Sequence, residues 1–264
     1  MELTSENYYS QEANKEFMSV SQYKDFIKCE STAMAKLSGK YSDMKHEALL
    51  IGSYVHAAIE GEDAFESFKK DNPEIYTAKK ELKACFKAAD NMIDSILSDD
   101  LCQTVLVGDK EVILTADMFG TMWKAKIDVL SRENGRITDL KTVKGIREKY
   151  WNGNKYVSFI QMYQYDVQMA VYAEIERLSG EMKFEYLEPT ILAVSKEEVP
   201  DKEIIWFDEP LIHEKLKEVE LNMPRILDVK FGNVTPSECG RCNYCKSKKR
   251  LASMTHYLDL LEVI

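Results

Sequence analysis

Apolar residues recur at helical spacing from about position 19 to about position 100 and at alternating spacing through the next forty. Residues 1–18 scatter them too widely to make a face and read as a loose arm. Residues 19–38 open with Ser19 and Ser21 as capping candidates and continue as an amphipathic helix. A second helix is expected over 45–69, with Leu49, Leu50, Tyr54, Ala57, Ala58 and Phe65 on its apolar side. Pro73 breaks the pattern, and 74–99 gives a third helix carrying Leu82, Phe86, Met92, Ile93 and Ile96.

The period then changes. Residues 110–119 read as a strand, Gly120 punctuates, and 121–130 alternate as its hairpin partner. Asn134-Gly135 signals a second turn before a strand over 136–142. A long helix is expected over 157–179, with Ile160, Tyr163, Val167, Val171 and Ile175 along one side. Strands at 187–197 and 202–207 follow, then a helix over 210–228 that Pro224 should bend or end. The tail, 232–264, holds a cysteine group and then an apolar helix. Helices, a three-strand meander, a helix and further strands make an α/β fold, a mixed central sheet flanked by helices, in a single domain over 1–264.

Eleven Gly and six Pro in 264 residues exclude a collagen-like or linker protein. No apolar run approaches the roughly 20 residues of a membrane helix. The polar, acidic N-terminus is no secretory signal, so a cytoplasmic location is expected, with no membrane partner. A net charge of −10 argues against a protein that merely coats nucleic acid, which needs Lys and Arg for phosphate. It leaves room for metal-dependent phosphodiester chemistry, which needs clustered carboxylates. In that compartment a disulfide framework is not expected, and Cys85 and Cys102 read as packing thiols.

Three groups carry the chemistry. Asp139 and Lys141 lie two apart on a strand and face one side, and the preceding turn brings Asp128 beside them. Charges inside such apolar strands call for a partner or a metal; taken alone, the trio could also be surface acids with a salt-bridged lysine. His56 and Glu60 share a face of the second helix, and Gln168 and Tyr172 share a face of the long one, with Gln161 and Tyr165 at the same spacing. Either pair alone fits an ordinary amphipathic helix.

Together they resemble a known pattern. Asp128-x10-Asp139-x-Lys141 resembles the active-site signature of the PD-(D/E)XK nuclease superfamily, with Ile127 where a proline is usual. Gly52-x3-His56-x3-Glu60 before it and Gln168-x3-Tyr172 after it resemble the flanking motifs of the RecB-like branch. The resemblance covers 52–172, and the chain looks like phage and prophage exonucleases of the RecE type.

That resemblance implies a restriction-endonuclease-like fold with a catalytic core over about 45–208. A helical arm, 1–44, and a cysteine-bearing segment, 209–264, would pack onto it. Asp128, Asp139, the Leu140 carbonyl and His56 would hold Mg²⁺ or Mn²⁺, and Glu60 would orient His56 or hold a second ion. Lys141 would orient or help deprotonate the attacking water. Gln168 would position Lys141 or touch the DNA backbone, with Tyr172 beside it. The substrate would be linear duplex DNA, the partner a single-strand annealing protein, and the assembly a ring. An iron–sulfur nuclease of CRISPR adaptation and a catalytically silent DNA-binding scaffold are the other readings. A hydrolase of small phosphorylated molecules is less favoured, since no Gly-rich phosphate loop is visible.

Cys239-x2-Cys242-x2-Cys245 can point three thiolates at one centre. Cys29, in a segment resembling that of the first cysteine in iron–sulfur RecB-like nucleases, would be the fourth ligand. A [4Fe–4S] cluster, Zn²⁺ and no metal all remain open, because spacing discriminates poorly between them. Lys246, Lys248, Lys249 and Arg250 follow, as a DNA-backbone contact or a solvated charge run.

Overall fold

Alternating apolar positions build the sheet. Its strands are β1 (Asp109–Met118), β2 (Thr121–Ser131) and β3 (Arg136–Val143), then, after the small hairpin of β4 (Tyr150–Trp151) and β5 (Tyr156–Val157), β6 (Glu188–Ser195) and β7 (Lys202–Trp206). The structure, a computed structural model, describes residues 1–43, 47–180 and 185–260. The five long strands run in the order β1-β2-β3-β6-β7, parallel between β3 and β6 and antiparallel elsewhere. This mixed sheet with helices on both faces is the expected fold class.

The helices are α1 (Gln11–Glu16), α2 (Val20–Lys28), α3 (Glu30–Leu37), α4 (Glu47–Glu60), α5 (Glu62–Asp71), α6 (Ala84–Leu97), α7 (Asp100–Val105), α8 (Phe159–Met162), α9 (Tyr165–Ser179), α10 (Glu209–Lys230) and α11 (Asn243–Lys248). Alternation sends Ile191 and Ala193 of β6 into one core, with Val167, Val171 and Ile175 of α9 and Val219 and Met223 of α10. Leu192 and Val194 enter the other, with Tyr54 and Val55 of α4 and Phe86 and Ile96 of α6. Truncating a fully buried residue such as Leu192 to alanine costs about 2–5 kcal/mol.

Alternation breaks in β2. Ile127 lies in the α9-side core, yet Val129, two residues on, lies in the α4-side core. Asp128 is therefore the residue at which β2 changes face. β2 and β3 are paired only from Val129↔Thr138 to Ser131↔Arg136, and beyond that they part.

Several expectations are corrected. Residues 1–18 are no loose arm: Met18 bridges to Trp123, and the buried Lys124 ammonium donates to the Tyr8 carbonyl and to Asn14. The helix expected over 19–38 is two, broken at Cys29, whose extended backbone ends α2 and begins α3. The helix expected over 45–69 divides at Gly61, where φ is +150°, a conformation an L side chain rarely adopts; its expected start lies outside the described residues. The one expected over 74–99 is a 3-10 turn at Pro73–Ile75 followed by α6, and 157–179 breaks at Gln164 into α8 and α9.

Pro224 does not end α10. It points to solvent while Val219, Met223 and Ile226 hold the opposite face in the core, and the carbonyl four residues back belongs to exposed Glu220. Residues 257–260 form a 3-10 turn where an apolar helix was expected; the rest of that tail lies outside the described residues. No described helix is long and apolar enough to cross a membrane.

Candidate active site and cysteine centre

The site forms where β2 leaves β3. Parting strands strand backbone donors, and the Asp128 carboxylate takes one of them, accepting from the Leu140 amide at 2.8 Å. Asp139 and Lys141 share the α9 side of β3, with Lys141 Nζ 2.5 Å from Asp139 Oδ2. From α9, Gln168 Nε2 donates to Asp139 Oδ1 at 2.8 Å. From the opposite layer, α4 brings His56 Nδ1 within 3.4 Å of Asp128 Oδ2. Gly52 permits that approach, since a Cβ there would lie 3.3 Å from Thr142 Oγ1 on β3. One cleft of about 1350 Å³ collects His56, Glu60, Glu111, Lys126, Asp128, Asp139, Lys141, Gln168 and Tyr172.

The electrostatics follow from the crowding. Burial pushes the Asp128 carboxyl up to about 6; the charge of Asp139 adds to the rise, while His56 and Lys141 oppose it. Burial works against the Lys141 charge, but Asp139 and Asp128 more than offset it and hold the ammonium above its ordinary range. Burial raises the Glu60 carboxyl, with the nearby Glu111 adding. Burial also raises the Tyr172 phenol.

The donor set fits a hard divalent cation. His56, Glu111 and Asp128 offer ligand atoms within 4.8 Å of one another. Carboxylates with a single imidazole suit Mg²⁺ or Mn²⁺, and the like charges of Asp128 and Asp139 want a cation between them.

Glu111 escaped the sequence reading. It stands opposite Asp128 in the β1–β2 register, where its φ of +54° is the left-handed region, and it ion-pairs with Lys126. Counting back from the Gly120 turn would have placed it. Lys24 of α2 also escaped. Its ammonium lies 3.4 Å from Gln168 Oε1 and 5.2 Å from the centre of the Tyr165 ring. Burial, then Lys141, brings it down to about 7. Its signal, a lysine on an amphipathic helix, is common. Gln168 meets Asp139 rather than Lys141, while Gln161 is exposed on α8.

The four cysteines also converge. Cys29, Cys239, Cys242 and Cys245 place their sulfurs within 4.8 Å of one another, with Cys29 and Cys245 at 3.6 Å. Thr32 Oγ1 lies 3.0 Å from Cys242 Sγ, and the Cys245 amide donates to the same sulfur. Burial opposes the Cys242 thiolate, but these hydrogen bonds bring it down to about 6. Lys246, Lys248, Lys249 and Arg250 are exposed beyond this centre, and none lines the cleft that holds Asp128 and Asp139; Lys248 pairs with Glu238.

A sequence profile described as a PDDEXK-like domain of unknown function matches residues 19–248. No curated protein matches the chain. A crystal structure from Eubacterium rectale, provisionally named an exonuclease, is 43% identical and superposes with a TM-score of 0.92 over 100% of both chains. That of SSO0001 is far more distant, at 13% identity and a TM-score of 0.31, covering 81% of this chain and 92% of its own.

Proposed function

From its membership of the PDDEXK-like family, we propose that this chain is a metal-dependent deoxyribonuclease, acting as an exonuclease on the ends of duplex DNA. The observation that carries the proposal is the convergence of His56, Asp128, Asp139 and Lys141 at the parting of β2 and β3, in one open cleft. The likeness to the Eubacterium rectale protein supports the exonuclease assignment.

His56, Asp128 and Glu111, whose ligand atoms lie within 4.8 Å of one another, would hold the cation, and Asp139, on the neighbouring strand, would complete the set. A bound Mg²⁺ or Mn²⁺ supplies a water of lowered pKa and neutralises charge on the phosphate. Lys141, held cationic by its acidic neighbours, stabilises the negative charge that grows on the phosphoryl oxygens. Gln168 fixes the orientation of Asp139, and Glu60, the exposed last residue of α4, keeps the mouth of the cleft acidic beside His56. Tyr172 walls the cleft where the substrate backbone would pass.

The cysteine centre favours a single tetrahedral ion. Metal–sulfur bonds of about 2.3 Å put thiolates about 3.8 Å apart around Zn²⁺. A [4Fe–4S] cube, with four irons between its thiolates, needs them farther apart than the spread seen here. Zinc would tie α3 to the C-terminal segment and leave the hydrolytic chemistry to the cleft.

The test is Mg²⁺-dependent degradation of end-labelled linear duplex beside a covalently closed circle. Loss of the linear form alone supports the exonuclease; cutting of the circle makes the protein an endonuclease.

A further inference from the structure

The β4–β5 hairpin sits between the catalytic strand and the helix that carries Gln168, and the chemistry above does not use it. Residues 141–156 hold five basic side chains, Lys141, Lys144, Arg147, Lys149 and Lys155, against the single acid Glu148, in a chain of net charge −10. Lys144 pairs with Glu148 and Arg147 with Glu203. Among the described residues Lys149 and Lys155 meet no carboxylate, and both are exposed.

Strand alternation divides the hairpin. Trp151 and Tyr156 are cross-strand partners on the outward face, 5.3 Å between ring centroids, and are 55% and 68% exposed. A ribbon this short is not stable by itself, so its inward face anchors it. Val157 is buried, and Tyr150 packs on Tyr163 at 5.6 Å. Tyr163 is half exposed, lines the catalytic cleft and lies 5.8 Å from Tyr165, over whose ring Lys141 Nζ sits at 4.9 Å. Aromatic rings thus step from the foot of the hairpin to the catalytic lysine.

Rings left in water beside unpaired cations suit a ligand with flat faces and a polyanionic backbone. A duplex hides its base faces inside the stack. Only unpaired nucleotides can offer them, and base stacking on an aromatic ring is tolerant of sequence. Resting on the nuclease reading above, we propose that the β4–β5 hairpin binds the unpaired strand at a DNA end. Its bases stack on Trp151, Tyr156 and Tyr163, its phosphates lie along Lys149 and Lys155, and the strand is led to Lys141.

The test needs no cleavage. In a Trp206→Phe background Trp151 is the exposed indole, since Trp123 is fully buried. Adding a dT 12-mer in EDTA should quench its fluorescence, while a blunt duplex of capped ends should not. Trp151→Ala/Tyr156→Ala should weaken binding of the labelled 12-mer roughly tenfold or more, and Trp151→Phe, which keeps a ring, should bind within about threefold of wild type. Both positions are exposed, so the melting temperature should not move. Absence of quenching with unchanged affinity in the double variant overturns the proposal. So does a hairpin that instead mediates self-association, seen in sedimentation and abolished by the double variant. A wild type that binds the 12-mer through Trp151 yet degrades no DNA would refute the nuclease reading alone; one that degrades DNA while the double variant binds normally refutes the hairpin alone.

Discussion

The backbone amide of Leu140 donates to the Asp128 carboxylate at 2.8 Å, in the gap where β2 leaves β3. A side chain there substitutes for a strand partner, so the sheet opens without orphaning that donor. The opening also lets His56 from one helical layer and Gln168 from the other reach neighbouring carboxylates.

Asp128 costs the metal-free protein stability. Its folded pKa, about 6, exceeds the ordinary 3.8, so protonation favours the fold, and the cost disappears as pH falls from above 6 towards 4. At pH 8 the full cost applies, up to about 3 kcal/mol. Asp128→Asn should therefore stabilise the EDTA-treated protein at pH 8 and by only about a third as much at pH 4.5, while abolishing divalent-ion binding. Urea unfolding at the two values measures this; a gap independent of pH would contradict it.

On the proposed function, Gln168 should act through Asp139. Gln168→Ala removes the 2.8 Å hydrogen bond and leaves the carboxylate free to rotate. Orienting groups of this kind are worth about 10–100-fold in metal affinity or activity. The Mg²⁺ concentration for half-maximal cleavage should rise, and saturating Mg²⁺ should recover part of the rate. A variant with an unchanged Mg²⁺ dependence would place Gln168 elsewhere in the reaction.

Glu30 joins α3 to α10 and to the cysteine segment. It accepts two hydrogen bonds from Arg225, both at 2.9 Å, and one from the Ser237 amide at 2.7 Å. These partners, Arg225 foremost, hold its carboxyl down at about 2. With the folded pKa depressed, its contribution is complete above about 4.5 and is lost as pH falls towards 2. Glu30→Gln should cost about 1–3 kcal/mol at pH 7, and the difference from wild type should shrink below pH 4. Equal stabilities at pH 7 would refute this role.

The cysteine centre should carry one zinc per chain and no iron, read by elemental analysis of protein purified without oxygen. Cys29→Ser should lose the metal and lower the melting temperature by about 5–10 °C. Stoichiometric iron with a brown chromophore would overturn the single-ion assignment.

Much of the site could be read from sequence because its residues lie at fixed offsets on regular elements. Asp139 and Lys141 share a strand face by alternation, and His56 sits one helical turn from Glu60. What could not be read depends on departures from regularity. The face change at Asp128, the left-handed Glu111 opposite it and the break at Cys29 between α2 and α3 have no period to announce them. Residues 1–18 read as a loose arm because their apolar residues make no face of their own; Met18 bridges to Trp123 and the Phe17 carbonyl accepts from Lys230, contacts with distant elements that no local period announces.

The most direct test of the central claim is the single-turnover rate of degradation of an end-labelled linear duplex as Mg²⁺ is varied, for wild type and for Asp139→Asn. The substitution is nearly isosteric and keeps an oxygen for Gln168, so the fold should persist, as circular dichroism would verify. The account predicts no wild-type cleavage in EDTA, saturable recovery with Mg²⁺, and a loss of at least about 1000-fold in the variant at every Mg²⁺ concentration. Cleavage by wild type in EDTA, or by Asp139→Asn at the wild-type rate, would contradict it.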